Sequence, residues 1–171
     1  MQIDEDRIDR ARADWARQRP DLDTAPMDII GRVLRVEHLA GQRIRQNLRR
    51  EGLDQGGFDV LATLRRSGPP HRLTPTALYR ELVLTSGAIT HRVDVLARAG
   101  LVQRTAAQQD RRSSEIALTA KGKTVIDRAM AAHLECEAAM LRSLAARDRK
   151  ALTDSLRKLL CAMEKDSTNG T

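Results

Sequence analysis

The stretch that decides the fold reads Leu-Thr-Pro-Thr-Ala-Leu-Tyr-Arg-Glu-Leu at residues 73–82 and Thr-Ser-Gly-Ala-Ile-Thr-His-Arg-Val-Asp-Val-Leu at residues 85–96. Thr74 followed by Pro75 predicts a helix start, because a hydroxyl caps free backbone amides and proline lacks the amide anyway. Thr85 predicts the cap of a second helix, and Gly100 predicts its end. The pattern therefore predicts two helices joined by a short turn.

Two short strands are predicted after this helix pair. They run from Leu101 to Thr105 and from Ser114 to Leu118, and the residues between them are polar and charged. Two helices followed by a basic hairpin are typical of a winged helix-turn-helix, in which the second helix enters the major groove of DNA and the hairpin reaches the minor groove. The sequence thus predicts a mainly α-helical fold with a small β-hairpin wing.

Further helices are predicted on both sides of this unit. An amphipathic helix carries Trp15, a turn-rich linker follows it, and a long helix begins at Met27. The apolar stripes of that long helix and of two C-terminal helices need a partner surface, and a second subunit is the simplest one. We therefore divide the chain into an extra helix with its linker (1–26), dimerisation helices (27–52 and 119–166), a winged helix-turn-helix lobe (53–118) and a tail (167–171).

Composition and charge limit the classes of protein to which the chain can belong. The chain of 171 residues is 41% hydrophobic but only 2% aromatic, and its net charge of +7 favours a polyanionic partner. No apolar run approaches membrane-spanning length and the first residues are too acidic for a signal peptide, so we expect a cytoplasmic protein. His133 and Cys136 lie one helical turn apart, but no third metal ligand follows at a matching spacing. No catalytic constellation stands out, and we expect no enzyme, no cofactor and no metal site.

The outer face of the second helix holds the first candidate DNA contacts. Its buried stripe is expected to contain Ile89, Val93 and Leu96. The residues that project away from that stripe are Ser86, Thr90, His91, Asp94 and Arg98. His91 alone has a simpler interpretation as a solvated residue, but its outward position on a capped second helix favours DNA contact.

Residues 53–125 resemble the MarR family of multiple-antibiotic-resistance-type regulators. The resemblance rests on Phe58-Asp59-Val60-Leu61-Ala62-Thr63-Leu64, on Gly100-Leu101-Val102 followed by Asp110-Arg111-Arg112-Ser113, and on Leu118-Thr119-Ala120-Lys121-Gly122. It implies a triangular helical homodimer with a winged DNA-binding lobe on each subunit. It also implies that Arg112 inserts into the minor groove while Asp110 holds its geometry, and it makes Arg111 a weaker candidate. Without the resemblance, Arg111 and Arg112 could be an ordinary charged turn.

The helix before Met27 is similar to an extra helix of the urate-responsive branch of that family, typified by HucR, MftR and PecS. This branch implies that urate is bound by a Trp on the extra helix, an Asp on the central helix, an Arg on the recognition helix and an Arg at the start of the wing. Trp15, Asp59, Arg92 and Arg104 occupy these four positions.

Taken singly, each of the four has a simpler interpretation. Trp15 could anchor its helix to the body, Arg92 could reach a phosphate, and Asp59 could interact with a helix dipole. The functional interpretation of Asp59 is an ion pair with Arg104, which would tie the central helix to the root of the wing. Together they favour a ligand site. We expect a homodimeric regulator, most simply a repressor, that binds a pseudo-palindromic operator in double-stranded DNA and is released by urate or a related purine. Two alternatives stay open: a MarR regulator that answers a phenolic or lipophilic compound, and a basic architectural or protein-interaction module without a ligand.

Overall fold

The computed structural model describes residues 5–82, 86–106 and 114–169. Seven helices lie in these ranges: α1 (Arg7–Gln18), α2 (Met27–Arg50), α3 (Gln55–Arg66), α4 (Pro75–Leu82), α5 (Ser86–Arg98), α6 (Ala120–Met140) and α7 (Ala146–Asn169). The strands β1 (Arg72–Leu73), β2 (Val102–Ala106) and β3 (Ser114–Leu118) form an antiparallel sheet in the order β1-β3-β2. The predicted fold class, mainly helical with a small wing, is confirmed.

Local signals set the helix boundaries. The Thr74 hydroxyl accepts a hydrogen bond of 3.2 Å from the amide of Ala77 at the start of α4. Asp54 caps α3 in the same way, since its carboxylate accepts the Gly57 amide at 2.7 Å. Gly100 has a positive φ of 70° after α5, a conformation that glycine adopts without strain. Thr85, predicted to cap α5, lies outside the described residues.

The structure forms two units, of which the first ends at His133 and the second begins at Leu134. The core of the first unit is built around α3, which packs against α2, α4, α5 and β3. Val60, Leu61 and Leu64 of α3 are completely buried. Seven of the twelve residues of α3 are buried, so α3 is the central helix of this unit.

The N-terminal part of α6 also belongs to this core. Ile126 and Ala129 are completely buried in it, although the sequence placed all of residues 119–166 with the dimerisation helices. Gly122 allows this packing, because a Cβ at that position would overlap the backbone carbonyl of Leu101. The first turn of α6 is therefore fixed against the backbone that follows α5.

Two elements differ from the sequence-based expectation. β1 was not predicted, and it pairs with β3 through Arg72 opposite Ala117 and Leu73 opposite Ile116. Two residues are too few to produce a recognisable alternation of apolar and polar positions. The second difference is that α7 continues to Asn169, so most of the predicted tail is helical.

Both units expose apolar side chains on helices. In the first unit α2 exposes Ile29, Ile30, Val33, Leu34, Val36 and Leu39. In the second unit α7 exposes Leu152, Leu156, Leu160 and Met163. No helix within the described ranges combines the length and the apolar character needed to cross a membrane.

Candidate functional site

The helix pair α4–α5 presents one face of α5 outward. Val93 and Leu96 are only 1% and 4% exposed, so they hold α5 on the core. The candidate DNA-contact residues on the opposite side are exposed, namely Thr90, His91, Asp94 and Arg98. Ser86 begins α5, but its side chain lies outside the described part of the chain. The orientation expected for these four exposed side chains agrees with the structure.

The wing begins directly after α5. β2 pairs antiparallel with β3, and Arg104 lies opposite Ile116. The hairpin tip is not among the described residues, so the expected contacts of Asp110, Arg111 and Arg112 with DNA stay predictions.

Arg104 is bound to the recognition helix. Its Nη2 donates a hydrogen bond of 2.8 Å to Oδ1 of Asp94. The sequence had suggested an ion pair between Arg104 and Asp59, and that interpretation is wrong for this structure: Oδ1 of Asp59 accepts instead from Nε2 of Gln55 at 3.0 Å. Gln55 is a favourable partner for Asp59 because it lies four residues earlier on the same helix, a spacing at which two side chains come into contact. The ion pair of Arg104 ties the root of the wing to α5.

Asp59 on α3 and Arg92 on α5 interact electrostatically. Asp59 is partly buried, and this burial raises the pKa of its carboxyl group above the usual value. The hydrogen bond from Gln55 and the electrostatic interactions with Arg92 and His133 oppose part of that rise in pKa. The structure therefore brings together two of the four expected ligand-binding residues.

The Arg92 side chain lies over the first turn of α3. A Cβ built on Gly56 would overlap Nε and Cζ of Arg92 and would lie 2.7 Å from its Cδ. Among the described residues, the guanidinium makes no hydrogen bond and no ion pair, although it is partly buried and interacts electrostatically with Asp59. Such a cation is available to an anionic ligand.

A small, partly open cavity lies beside this guanidinium. Its lining consists of Asp54, Gly57, His91, Arg92, Val95 and Leu96. The cavity thus combines the cationic side chain of Arg92 and the imidazole of His91 with the apolar side chains of Val95 and Leu96, while the Asp54 carboxylate at its edge accepts the Gly57 amide. Sequence reasoning missed Gln55 and Gly56, although two consecutive glycines so soon after a capping residue were a visible signal of close packing.

Trp15 lies on α1, which packs against α2. None of the residues of α1 is buried, and Trp15 is 47% exposed. Within the described ranges, no hydrogen bond, ion pair or ring contact connects Trp15 with Asp59, Arg92 or Arg104. The structure therefore leaves much of the indole accessible.

Charged side chains attach α1 to α2 instead. Arg32 of α2 donates to the carboxylates of Asp6, Asp9 and Asp28 at 2.8, 2.6 and 2.9 Å. Arg12 of α1 donates to Asp28 at 2.5 Å. We call these five residues the ionic clasp. It fixes the helix that carries Trp15 without burying any residue of that helix.

Comparisons with known proteins agree with this architecture. The MarR family profile matches residues 51–113. The chain is 35% identical to the transcriptional regulator PecS of Dickeya dadantii over 91% of each chain. It is 34% identical to the transcriptional repressor YetL of Bacillus subtilis over 54% of each chain. The structure of a mutant MarR from E. coli complexed with operator DNA superposes with a TM-score of 0.67 at 23% identity and covers 81% of this chain and 99% of that one.

Proposed function

Because the chain belongs to the MarR family of DNA-binding transcriptional regulators, we propose that it is a homodimeric repressor of a pseudo-palindromic operator, released by urate or a related purine anion. The description of the relative YetL as a repressor supports the sign of the regulation. The similarity to PecS over most of the chain supports an effector of the urate type, since PecS typifies the branch that the sequence resembles.

The DNA-binding part of the proposal uses α5 and the wing. The exposed side of α5 enters the major groove, with His91 and Arg98 among the side chains that reach it. In a two-fold symmetric dimer, the two copies of α5 read half-sites about 34 Å apart. Arg112 at the hairpin tip enters the adjacent minor groove, which is most electronegative where it is narrow.

The dimer is formed by the apolar faces of α2 and of the C-terminal helices. Leu34 and Val36 of α2 are 63% and 64% exposed in one protomer, and Leu160 of α7 is 57% exposed. Exposed apolar faces of this extent are typical of an interaction surface. A second copy of the chain covers them and sets the distance between the two recognition helices.

The observation that carries the ligand part is the guanidinium of Arg92 on the recognition helix, which forms no ion pair with any of the described residues. Urate is a planar anion at neutral pH, and a guanidinium binds adjacent oxygen and nitrogen acceptors of such a ring in a bidentate manner. The apolar wall formed by Val95 and Leu96 beside Arg92 suits the faces of a flat ring. Trp15 supplies a further flat surface in the assembled protein.

Release of DNA follows from where the anion binds. An anion held by Arg92 lies close to Asp59, whose negative charge repels it. Because Asp59 belongs to α3 and Arg92 to α5, this repulsion weakens the packing of α5 against α3. The ion pair between Arg104 and Asp94 carries a displacement of α5 to the root of the wing. Couplings of this kind are typically about 1–3 kcal/mol, or roughly 5- to 150-fold in DNA affinity.

The test is operator binding by mobility shift during titration with urate, xanthine and salicylate, using the DNA upstream of the chain's own gene. Arg92→Ala should abolish release by urate, and Asp59→Ala should blunt it. Arg65→Ala is the matched control, because it removes one arginine that is bound to Asp127 away from the cavity. If Arg92→Ala releases DNA at the wild-type urate concentration, the proposed site is wrong. Release by salicylate alone would select the phenolic alternative.

A further inference from the structure

The Arg92 side chain packs directly against Gly56. This glycine is buried in the first turn of α3, and an added Cβ would overlap the guanidinium end of Arg92. Its φ is not in the positive range that favours glycine, so the backbone does not require glycine there. Alanine is intrinsically the better helix former at such a position. The space occupied by Arg92 is therefore the physical reason for a glycine at residue 56.

The neighbouring glycine has a different environment. A Cβ on Gly57 would lie 2.8 Å from Oδ1 of its own helix cap, Asp54, and at an ordinary 3.5 Å from Leu96. Gly57 thus serves the cap of α3, whereas Gly56 alone of these two makes room for Arg92. The two glycines can be distinguished by experiment.

The position of Arg92 against Gly56 also determines which charged group lies near its guanidinium. Asp59 lies three residues after Gly56, on the same side of α3, and Gln55 holds its carboxylate by a hydrogen bond. Arg92 and Asp59 interact through their charges but form no direct ion pair, both being described residues. The guanidinium therefore keeps its donors available while it stays close to the carboxylate.

We propose that Gly56 is a positioning residue for the effector site: because it has no side chain, the Arg92 guanidinium can lie against the first turn of α3, at the edge of the cavity. The inference rests on the proposed function, because the anion that Arg92 receives is the effector. A side chain at residue 56 pushes the guanidinium away from α3. The overlap is with the movable end of a side chain, so the fold accommodates the change while the site loses its geometry.

The experiment combines Gly56→Ala with Arg92→Ala in a double-mutant cycle on the full chain. Urate binding to Gly56→Ala, measured by calorimetry, should weaken roughly 10- to 100-fold, the effect of losing a bidentate charged contact. The pKa of Asp59, measured by NMR, should rise in both Gly56→Ala and Arg92→Ala, because in each variant the guanidinium no longer stabilises the carboxylate. In the Arg92→Ala background, Gly56→Ala should add no further change in the Asp59 titration.

Wild-type urate affinity together with a wild-type Asp59 titration in Gly56→Ala would overturn the inference. If the wild-type protein binds no urate, the proposed release by urate is wrong. Comparing the Asp59 pKa in wild type and Gly56→Ala still decides whether Gly56 positions the Arg92 side chain. A loss of thermal stability in Gly56→Ala should disappear in the double variant. A loss that persists there would mean that residue 56 acts on the fold and not through Arg92.

Discussion

Arg104, in the first strand of the wing, donates a hydrogen bond of 2.8 Å to Asp94 on the exposed side of the recognition helix. Both side chains are about half exposed, at 45% and 51%. An ion pair this exposed contributes only about 0–1 kcal/mol to the free energy of unfolding. Its importance lies in its location, because it neutralises a positive charge on the surface that we propose faces DNA, and it joins the two elements that form that surface.

The first prediction is that Asp94→Ala tightens operator binding. The substitution frees Arg104 to approach a phosphate and removes a negative charge from the DNA-facing surface. Each added phosphate contact steepens the slope of log K against log salt by about 0.9, so the slope measured by fluorescence anisotropy should become more negative by roughly that amount.

Asp127→Ala is the control for this experiment, since it removes the same charge from an ion pair with Arg65 on α3. It should leave the salt slope unchanged. Weaker operator binding by Asp94→Ala would show that Asp94 reads a base, the role suggested by its outward position alone.

Much of the fold is predictable from local signals in the sequence. The capping of α3 by Asp54 and of α4 by Thr74 follows from side chains that act within a few residues, and Gly100 ends α5 through its own positive φ. β1 is not predictable, because its two residues are a strand only through their pairing with β3, more than forty residues later.

The site is also predictable only in part, because some of its contacts depend on residues that are distant in the sequence. The sequence identified Asp59 and Arg92, which the structure brings together across α3 and α5. It did not identify the partner of Arg104, because several carboxylates within reach of an exposed arginine differ only in three-dimensional position. The sequence alone does not distinguish Asp94 from Asp59 as the partner of Arg104. The packing of α5 against the wing places Asp94 within reach of Arg104.

The second prediction concerns the ionic clasp, which should open in acid. The hydrogen bond from the Asp6 amide and the bond from Arg32 lower the pKa of Asp9, and bonds from Arg32 and Arg12 lower the pKa of Asp28. Carboxylates with lowered pKa stabilise the docked state fully above their ordinary pKa of about 3.9, and this contribution is lost as the pH falls through the lowered value. Docking of α1 should therefore stay constant from pH 7 to about 5 and fail below about pH 4.

Trp15, the single tryptophan of the chain, reports the state of α1 through its fluorescence, and far-UV circular dichroism separates undocking from unfolding. Arg32→Gln should undock α1 already at neutral pH and speed amide exchange in that helix. Arg17→Gln is the matched control, because Arg17 pairs with Asp14 within α1 itself. Equal exchange in α1 for both variants would contradict a clasp that acts between the helices.

The third prediction is that the wild-type chain sediments only as a dimer at micromolar concentration and that Leu34→Glu dissociates it. Leu34 is 63% exposed in one protomer. Burying a leucine is worth about 1.5–3 kcal/mol, and a two-fold interface contains the residue twice, so the dissociation constant should rise by roughly 100-fold or more. Leu22→Glu, a linker leucine with 46% exposure, should leave the dimer intact. A stable, folded wild-type monomer would rule out the proposed interface.

The last prediction concerns Trp15 as a surface for the effector. Because the ionic clasp holds α1 and the indole is 47% exposed, Trp15→Phe should leave α1 docked. A smaller ring retains part of the stacking energy, which is typically about 0.5–1.5 kcal/mol, so urate affinity should fall roughly 2- to 10-fold. Trp15→Ala should lower it further. Operator affinity without urate should stay near the wild-type value for both variants, because α1 lies outside the helix pair and wing that are proposed to contact DNA. Calorimetry with urate and mobility shifts without it measure the two effects separately. Unchanged urate affinity in Trp15→Ala would remove Trp15 from the site and leave Arg92 and the cavity beside it as the whole binding surface.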